Sequence, residues 1–387
     1  MLVRHLNLSD FRNYTTVDVD LVAGSNVFVG SNGQGKTNLV EALGYLSTLG
    51  SHRVSVDHAM IRQGQDAAIV RARLEHGDRQ VLAEVQINRS TANRAQINRS
   101  AIKTRELPRY FSSVLFAPED LALVRGEPSG RRRFLDELLI LRTPRMSGVI
   151  TDYERVLKQR NTLLKTARAT GARGDQLSTL DIWDERLVAF GSELIEARAI
   201  LIAELQPEVA RAYSGIAGAE HDARLSSFLS VRSTSTDDDT EQFPDAMTTA
   251  ITAEEAAVDF RNSLARLRRA ELDRGLTLSG PHRDDLVLSL NGLAARGYAS
   301  HGESWSFALS LKLASAQVLR RESASGDPVL ILDDVFAELD QSRRARLASA
   351  IEGFEQVLIT AAVLDDVPEE LAAHVVHIAA GRIVEDE

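Results

Sequence analysis

Residues Gly30-Ser31-Asn32-Gly33-Gln34-Gly35-Lys36-Thr37 fill the pattern G-x-x-x-x-G-K-[ST], a loop whose backbone N–H groups can cradle a chain of phosphates. In such a loop Lys36 reaches the β- and γ-phosphates and the Thr37 hydroxyl ligates Mg²⁺. Far along the chain, Val329-Leu330-Ile331-Leu332-Asp333-Asp334 places two carboxylates at the end of a continuous apolar run, the Walker B pattern. Asp333 is expected to hold Mg²⁺ or its water shell, and Asp334 to orient an attacking water or accept its proton. The chemistry implied is binding of a nucleoside triphosphate with Mg²⁺ and transfer of its terminal phosphoryl group to water.

Such chemistry needs strands that end at the phosphates and a helix that begins there. Val27-Phe28-Val29 suits a buried strand before the loop, and Thr37 to Ser47, with Leu39, Leu43 and Leu46 on one face, suits a helix after it. The helix N-terminus adds partial positive charge to the loop. Upstream of the carboxylates, Ser300-His301-Gly302-Glu303-Ser304 opens a helix from about Trp305 to Arg320, and a Ser with a Gly there makes an anion-binding cap. Ala337-Glu338-Leu339-Asp340 follows the carboxylates.

The chain has 387 residues, 44% hydrophobic and 26% charged, with a net charge of −10, which excludes a protein that coats nucleic acid with its whole surface. A local basic track remains: Arg125 to Arg173 carries twelve Lys and Arg against five Asp and Glu, a balance of +7. That track is either a nucleic-acid surface or a solvated helical face. The absence of cysteine excludes disulfides, thiol catalysis and Cys-based zinc sites. Met1-Leu2-Val3-Arg4-His5 begins an alternating strand and not a signal peptide, and no apolar run is long enough to span a bilayer, so a cytoplasmic location is expected.

The first hundred residues read as strands at Leu2–Leu8, Val17–Leu21, Ala67–Glu75 and Gln80–Ile87. Gln86-Ile87-Asn88-Arg89-Ser90 recurs as Gln96-Ile97-Asn98-Arg99-Ser100, which predicts two paired strands joined by a turn around Thr91 to Arg94. Helices are expected over Tyr153–Leu164, Ile182–Leu205 and about Ala246–Leu272, with a polar, acidic loop at Ser233–Asp245. Strands are expected at Ala223–Val231, Leu276–Leu278 and Asp285–Leu290, and a hairpin at His374–Val384.

The chain resembles the RecF family of SMC-like, ABC-type ATPases from end to end. Beyond the ATPase motifs, the resemblance rests on Asp10-Phe11-Arg12-Asn13-Tyr14, on Pro118-Glu119-Asp120-Leu121 leading into Gly126 to Asp136, on Tyr153 to Asn161, and on Ser279-Gly280-Pro281-His282-Arg283-Asp284-Asp285. It implies an α/β fold: an ABC/SMC-type P-loop ATPase head of residues 1–120 and 275–387, with an inserted, mainly helical lobe over 121–274 and no long coiled coil. Ser300 and Gly302 would then be a signature that closes over the γ-phosphate held by a second copy, and Asp340 would belong to a D-loop. It also implies ATP as the nucleotide, an ATP-dependent homodimer on DNA, weak DNA-stimulated ATPase activity, and work with RecR and RecO to load RecA at single-strand gaps.

Each family stretch has its own physical reading. Arg12 contacts nucleotide phosphate or caps the first hairpin; Arg131, Arg132 and Arg133 track a DNA backbone or pair with Asp136 and Glu137 on their own helix. The turn Gly280-Pro281-His282-Arg283 positions a functional side chain or is purely structural. Glu303 stands where many ABC-type signatures have Gln, Asp334 where they have Glu, and Thr360-Ala361 where transporters keep a switch His. Those departures point to a slow switch. A nucleotide-switched scaffold that does not hydrolyse, and a transporter ATPase subunit, are the competing readings.

Overall fold

The computed structural model describes residues 1–171, 178–218, 221–233, 247–248, 250–323 and 326–384. It divides into two compact units: 1–124 with 208–221 and 300–387, and 125–207 with 222–299. The first unit opens with strands β1 (Leu2–Phe11), β2 (Tyr14–Asp20) and β3 (Gly24–Val29), helix α1 (Lys36–Thr48), then β4 (Ala67–His76), β5 (Arg79–Asn88), β6 (Arg94–Ile97), β7 (Ser100–Ile102), β8 (Ser113–Phe116) and the short α2 (Leu121–Arg125). The second contains α3 (Pro128–Arg142), α4 (Met146–Thr170), most of α5 (Ser178–Ala217), β9 (Ala223–Phe228), β10 (Met247–Thr248), α6 (Ala253–Arg274), β11 (Asp285–Leu290), β12 (Leu293–Ala294) and α7 (Ala295–Tyr298). The chain returns to the first unit with α8 (His301–Glu322), β13 (Val329–Asp333), α9 (Gln341–Ile351), β14 (Gln356–Ala361), β15 (Val375–Ala379) and β16 (Arg382–Val384).

Two six-stranded sheets build the first unit. One is antiparallel, in the order β2-β1-β4-β5-β6-β7; the other runs β16-β15-β3-β14-β13-β8 and is parallel except for β16. All five residues of β13 and all six of β14 are buried, as strands covered on both faces must be, which is why Val329–Leu332 reads as an unbroken apolar run. On β1 the buried set Val3, Leu6, Leu8, Phe11 breaks strict alternation twice, between Val3 and Leu6 and between Leu8 and Phe11. A register shift against β4 between Val3 and His5 absorbs the first extra residue and returns Leu6 to the core face.

The repeated pentapeptide does join paired strands: β5 and β6 are antiparallel, with Gln86 opposite Arg94. Its two copies nevertheless fold differently. Asn88 closes β5, its N–H donating to Asn93 Oδ1 and its amide to Ala92 O. Asn98 and Arg99, at φ 49° and 67°, form the two-residue turn that returns β6 into β7.

In the second unit β10-β9-β11-β12 form an antiparallel sheet, β11 packs against α3, and α4 packs against α6. Several sequence expectations are corrected here. Helix α6 begins at Ala253 and not near 246, because Thr252 caps it reciprocally with Glu255. Leu276–Leu278 forms no strand: the N–H of Thr277 donates to Asn161 Oδ1 and that of Leu278 to Glu271 Oε1, so side chains replace a strand partner. The expected loop at 233–245 lies, after Ser233, outside the described residues. The unit boundaries also differ from those expected at 120 and 274. Residues 275–299 join the second unit through the β9–β11 pairing, and Glu208–His221, which holds the last part of α5, joins the first. That crossing falls at Pro207, whose missing N–H interrupts the ladder of α5.

Candidate nucleotide site

Parallel pairing sets the C-terminal ends of β3, β14 and β13 side by side: Val29 lies opposite Ala361, and Thr360 opposite Asp333. The phosphate loop leaves β3 at that edge, where ligands of open α/β sheets bind. Two of its glycines are dictated by contact. A Cβ on Gly30 would stand 2.2 Å from Ile378 O, and one on Gly35, at φ 117°, would stand 2.6 Å from Tyr14 Oη. Asn13 Nδ2 and the Gly381 N–H donate to Gln34 O at 3.1 and 3.0 Å, and the Ala380 N–H donates to Gln34 Oε1. Thus the β1–β2 turn and the β15–β16 turn clamp the loop, while Ser31, Asn32 and Gly33 stay exposed.

Lys36 is buried, with Nζ donating to Gly30 O at 2.7 Å and Ser31 O at 3.3 Å. Thr37 Oγ1 donates to Asp333 Oδ1 at 3.0 Å, and Thr360 Oγ1 donates to the same oxygen at 2.6 Å. Two motifs 296 residues apart therefore meet through one hydrogen bond. Asp334 follows at φ 52°, its N–H held by Thr360 Oγ1 at 2.9 Å, while its Oδ1 is buried without a partner. Burial, and next the charge of Asp333, raise its pKa above the ordinary carboxylate value.

Among the described residues no cluster of three or more His, Cys, Asp or Glu could cage a metal by itself. Magnesium does not need one, since it is bound by one or two carboxylates together with substrate phosphates and water. Thr37 and Asp333 fit that ion, and the unpartnered oxygen of Asp334 lies beside them.

Sequence reasoning missed a third contributor. Helix α1 ends with Leu49 in the left-handed region, and the chain turns back along the helix through Ser51-His52-Arg53. Ser51 Oγ donates to Glu41 Oε1 at 2.5 Å and Arg53 Nη1 to Asn38 Oδ1 at 2.9 Å, which returns this segment to the first turns of α1. His52 Nε2 lies 3.8 Å from Asp333 Oδ2. Nothing in the periodicity marks that residue; only its position in three dimensions does.

Arg12 does not cap its hairpin. Its Nε and Nη2 donate to the carboxylate of Glu41 at 2.8 and 2.6 Å, and its Nη1 to Ala59 O, so the turn is tied to α1. Ser300 and Asp340 are both helix N-caps. Ser300 accepts from the Glu303 N–H while Glu303 accepts from the Ser300 N–H at 2.7 Å, a reciprocal box that Glu completes well and that lowers the Glu303 pKa. Asp340 caps α9 through the Arg343 N–H, and the Arg343 guanidinium lies where a Cβ on Gly302 would stand 2.8 Å away. The stretches expected as signature and D-loop thus lie together at Arg343, where Asp340 also pairs with the guanidinium at 3.1 Å.

The arginine triplet is redistributed. Arg131 is buried and pairs bidentately with Asp285 at 2.7 Å, Arg132 donates to Asp284 O at 2.8 Å, and Arg133 alone of the three is exposed. Of the two carboxylates offered as local partners of the triplet, Asp136 instead holds Arg198. His282 is structural: Nε2 faces Thr277 O, so Nδ1 accepts from Tyr153, and burial lowers its pKa to about 3.

A model of the RecF/RecN/SMC N-terminal domain matches residues 2–382. A protein of Clavibacter sepedonicus described as DNA replication and repair protein RecF is 66% identical over 391 residues, covering 100% of this chain and 95% of its own. This chain belongs to the RecF family. The RecF protein of Frankia alni is 51% identical, over 99% of both chains. Among solved structures, the recombination mediator protein RecF with ATP, from the RecFOR pathway, superposes with a TM-score of 0.87 at 26% identity, over 100% of this chain and 97% of that one. An SMC head bound to the winged-helix domain of ScpA superposes at 0.56 with 14% identity, a likeness of fold. The α/β head of the ABC/SMC type expected from the sequence is therefore the fold of this chain. Among the described residues no helix is long and apolar enough to cross a membrane.

Proposed function

We propose that this chain binds Mg²⁺-ATP at residues 30–37, pairs with a second copy when ATP is bound, and hydrolyses the nucleotide slowly while acting on DNA in replication and repair. The observation that carries this reading is the Thr37–Asp333 hydrogen bond, which joins the phosphate loop to the Walker B strand at one sheet edge. Lys36 and the loop amides hold the phosphates, Thr37 and Asp333 hold the ion, and Asp334 aligns the attacking water. The ion supplies charge neutralisation of the β/γ-phosphates when bound. Arg12 stays on the nucleotide side of this reading, since its neighbour Asn13 already holds Gln34 and Asn38.

Ser300, Gly302 and Asp340 form the surface that meets the second copy's terminal phosphate. Support comes from the relatives' description as replication and repair proteins and from the RecF structures with ATP and its analogue. The RecFOR description supports RecR and RecO as partners, with RecA loading at single-strand gaps downstream. Light scattering tests the dimer: mass is expected to double with a slowly hydrolysed ATP analogue and not with ADP, and Ser300→Arg to keep it single. An unchanged mass in every state would sink the two-copy reading. A non-hydrolysing scaffold is separated by phosphate release: turnover no higher than that of Lys36→Ala would favour it.

For DNA, Arg133→Glu is the informative variant. It is expected to weaken DNA binding and reduce the salt slope by about one, with melting unchanged. Arg131→Glu would instead place a second carboxylate against Asp285 and destabilise its unit by about 3–5 kcal/mol, so a fall in its DNA binding alone says nothing about contact. Unaltered DNA affinity and salt slope in Arg133→Glu would remove this helix from the interface.

A further inference from the structure

We propose that His52 is a γ-phosphate-sensing residue: its Nε2 donates a hydrogen bond to the terminal phosphate of the nucleotide held beside Asp333. This rests on the nucleotide reading above and adds a residue to it. Three observations point there. The ring nitrogen is buried with no hydrogen-bond partner, 3.8 Å from Asp333 Oδ2, too far for a bond between them. A buried polar atom without a partner is costly and calls for one that arrives. Asp334 Oδ1, one residue on from Asp333, is orphaned in the same way, so two unused polar atoms flank the ion-binding hydroxyl and carboxylate.

The segment around His52 is built to hold it still. Ser51 Oγ donates to Glu41 and accepts from the N–H groups of Arg53 and Val54 at 3.0 and 3.2 Å. Arg53 binds Asn38 and approaches the same Glu41 carboxylate at 3.5 Å. Glu41, fully buried in α1, also accepts from Nε and Nη2 of Arg12. Both neighbours of His52 are thus committed to α1, and the ring between them is turned toward the carboxylate end of β13. With a proton on Nε2, the imidazole donates to an oxygen of the terminal phosphate and gives the chain a contact that ADP cannot make. The strand end Thr360-Ala361 carries no histidine, and His52 reaches the same carboxylate edge from the opposite sequence direction.

The test uses the full chain with Mg²⁺ and measures affinity for fluorescent ADP, alone and with beryllium fluoride as the mimic of the terminal phosphate. His52→Ala is expected to bind ADP within about twofold of wild type while the tightening by beryllium fluoride falls about tenfold to a hundredfold, the loss of one hydrogen bond to a charged group. His52→Gln, which returns an N–H at similar reach, is expected to recover most of it. Equal tightening in wild type and His52→Ala would overturn the proposal. So would a parallel loss of ADP affinity and melting temperature that Gln fails to restore, since that describes a packing role. Failure of the wild-type chain to bind ADP at all would instead refute the nucleotide reading, and the assignment of His52 would fall with it.

Discussion

Asp334→Asn is expected to cut single-turnover ATP hydrolysis by about 10²- to 10⁴-fold while leaving nucleotide affinity within about threefold. The substitution isolates chemistry from folding for reasons visible in the backbone. Asp334 sits at φ 52°, a conformation that Asn adopts as readily as Asp, and its N–H bond to Thr360 does not involve the side chain. The change is one of charge and proton affinity. The carboxylate is already disfavoured by burial and by Asp333, which makes it a better proton acceptor than a solvated aspartate; an amide accepts no proton at all. Removing the charge also relieves repulsion with Asp333, so ATP binding is not expected to weaken. Phosphate release after mixing with limiting ATP measures the first quantity and titration of a fluorescent ATP analogue the second. Hydrolysis at the wild-type rate would place the water-orienting group elsewhere, and lost affinity would mean that Asp334 shapes the loop.

The parts of this site that could be read from the sequence are those whose chemistry is written in adjacent residues. The phosphate loop and the Val329–Asp334 run each carry their own geometry: glycines before a helix, and an apolar strand ending in acid. Contacts between distant residues were not legible in the same way. Arg131 looks like a member of a basic triplet, and only folding shows that its partner is Asp285, 154 residues away, so that burial and not DNA accounts for it. His52 follows a helix terminus without any periodic signal, and it becomes a site residue because Ser51 and Arg53 fold the chain back along α1. The opposite case is the start of α6. Thr252 and Glu255 wrote a capping box into the sequence, yet the general helical composition around it suggested an earlier start. Identical pentapeptides at 86–90 and 96–100 make the limit plain: the same five residues end a strand in one place and turn a hairpin in the other, because the strands they meet differ.

Arg160→Leu is expected to destabilise the second unit by about 3–5 kcal/mol, enough to unfold it at moderate denaturant while the first unit keeps its own transition. Arg160 is the largest of the fully buried side chains, and all three nitrogens of its guanidinium are used. Nε donates to Asp184 at 2.6 Å, Nη2 to Glu271 at 2.6 Å and Nη1 to Thr277 at 2.7 Å, so one cation ties α4 to α5, to α6 and to the segment after it. Glu271 also accepts from the Leu278 N–H, and the Thr277 hydroxyl donates in turn to Asn161 on α4. Leucine would fill much of the volume and leave the buried Glu271 carboxylate with no cation, a penalty larger than the pair's own net contribution. A double replacement, Arg160→Leu with Glu271→Leu, should therefore recover part of the loss, because it removes the uncompensated charge. Chemical denaturation followed by tryptophan fluorescence in a Trp305→Phe background reports on the unit directly, since the remaining tryptophan, Trp183, lies on α5 beside Asp184. A single variant as stable as wild type, or a double variant that is additive, would mean that packing and not the buried charge network holds these helices.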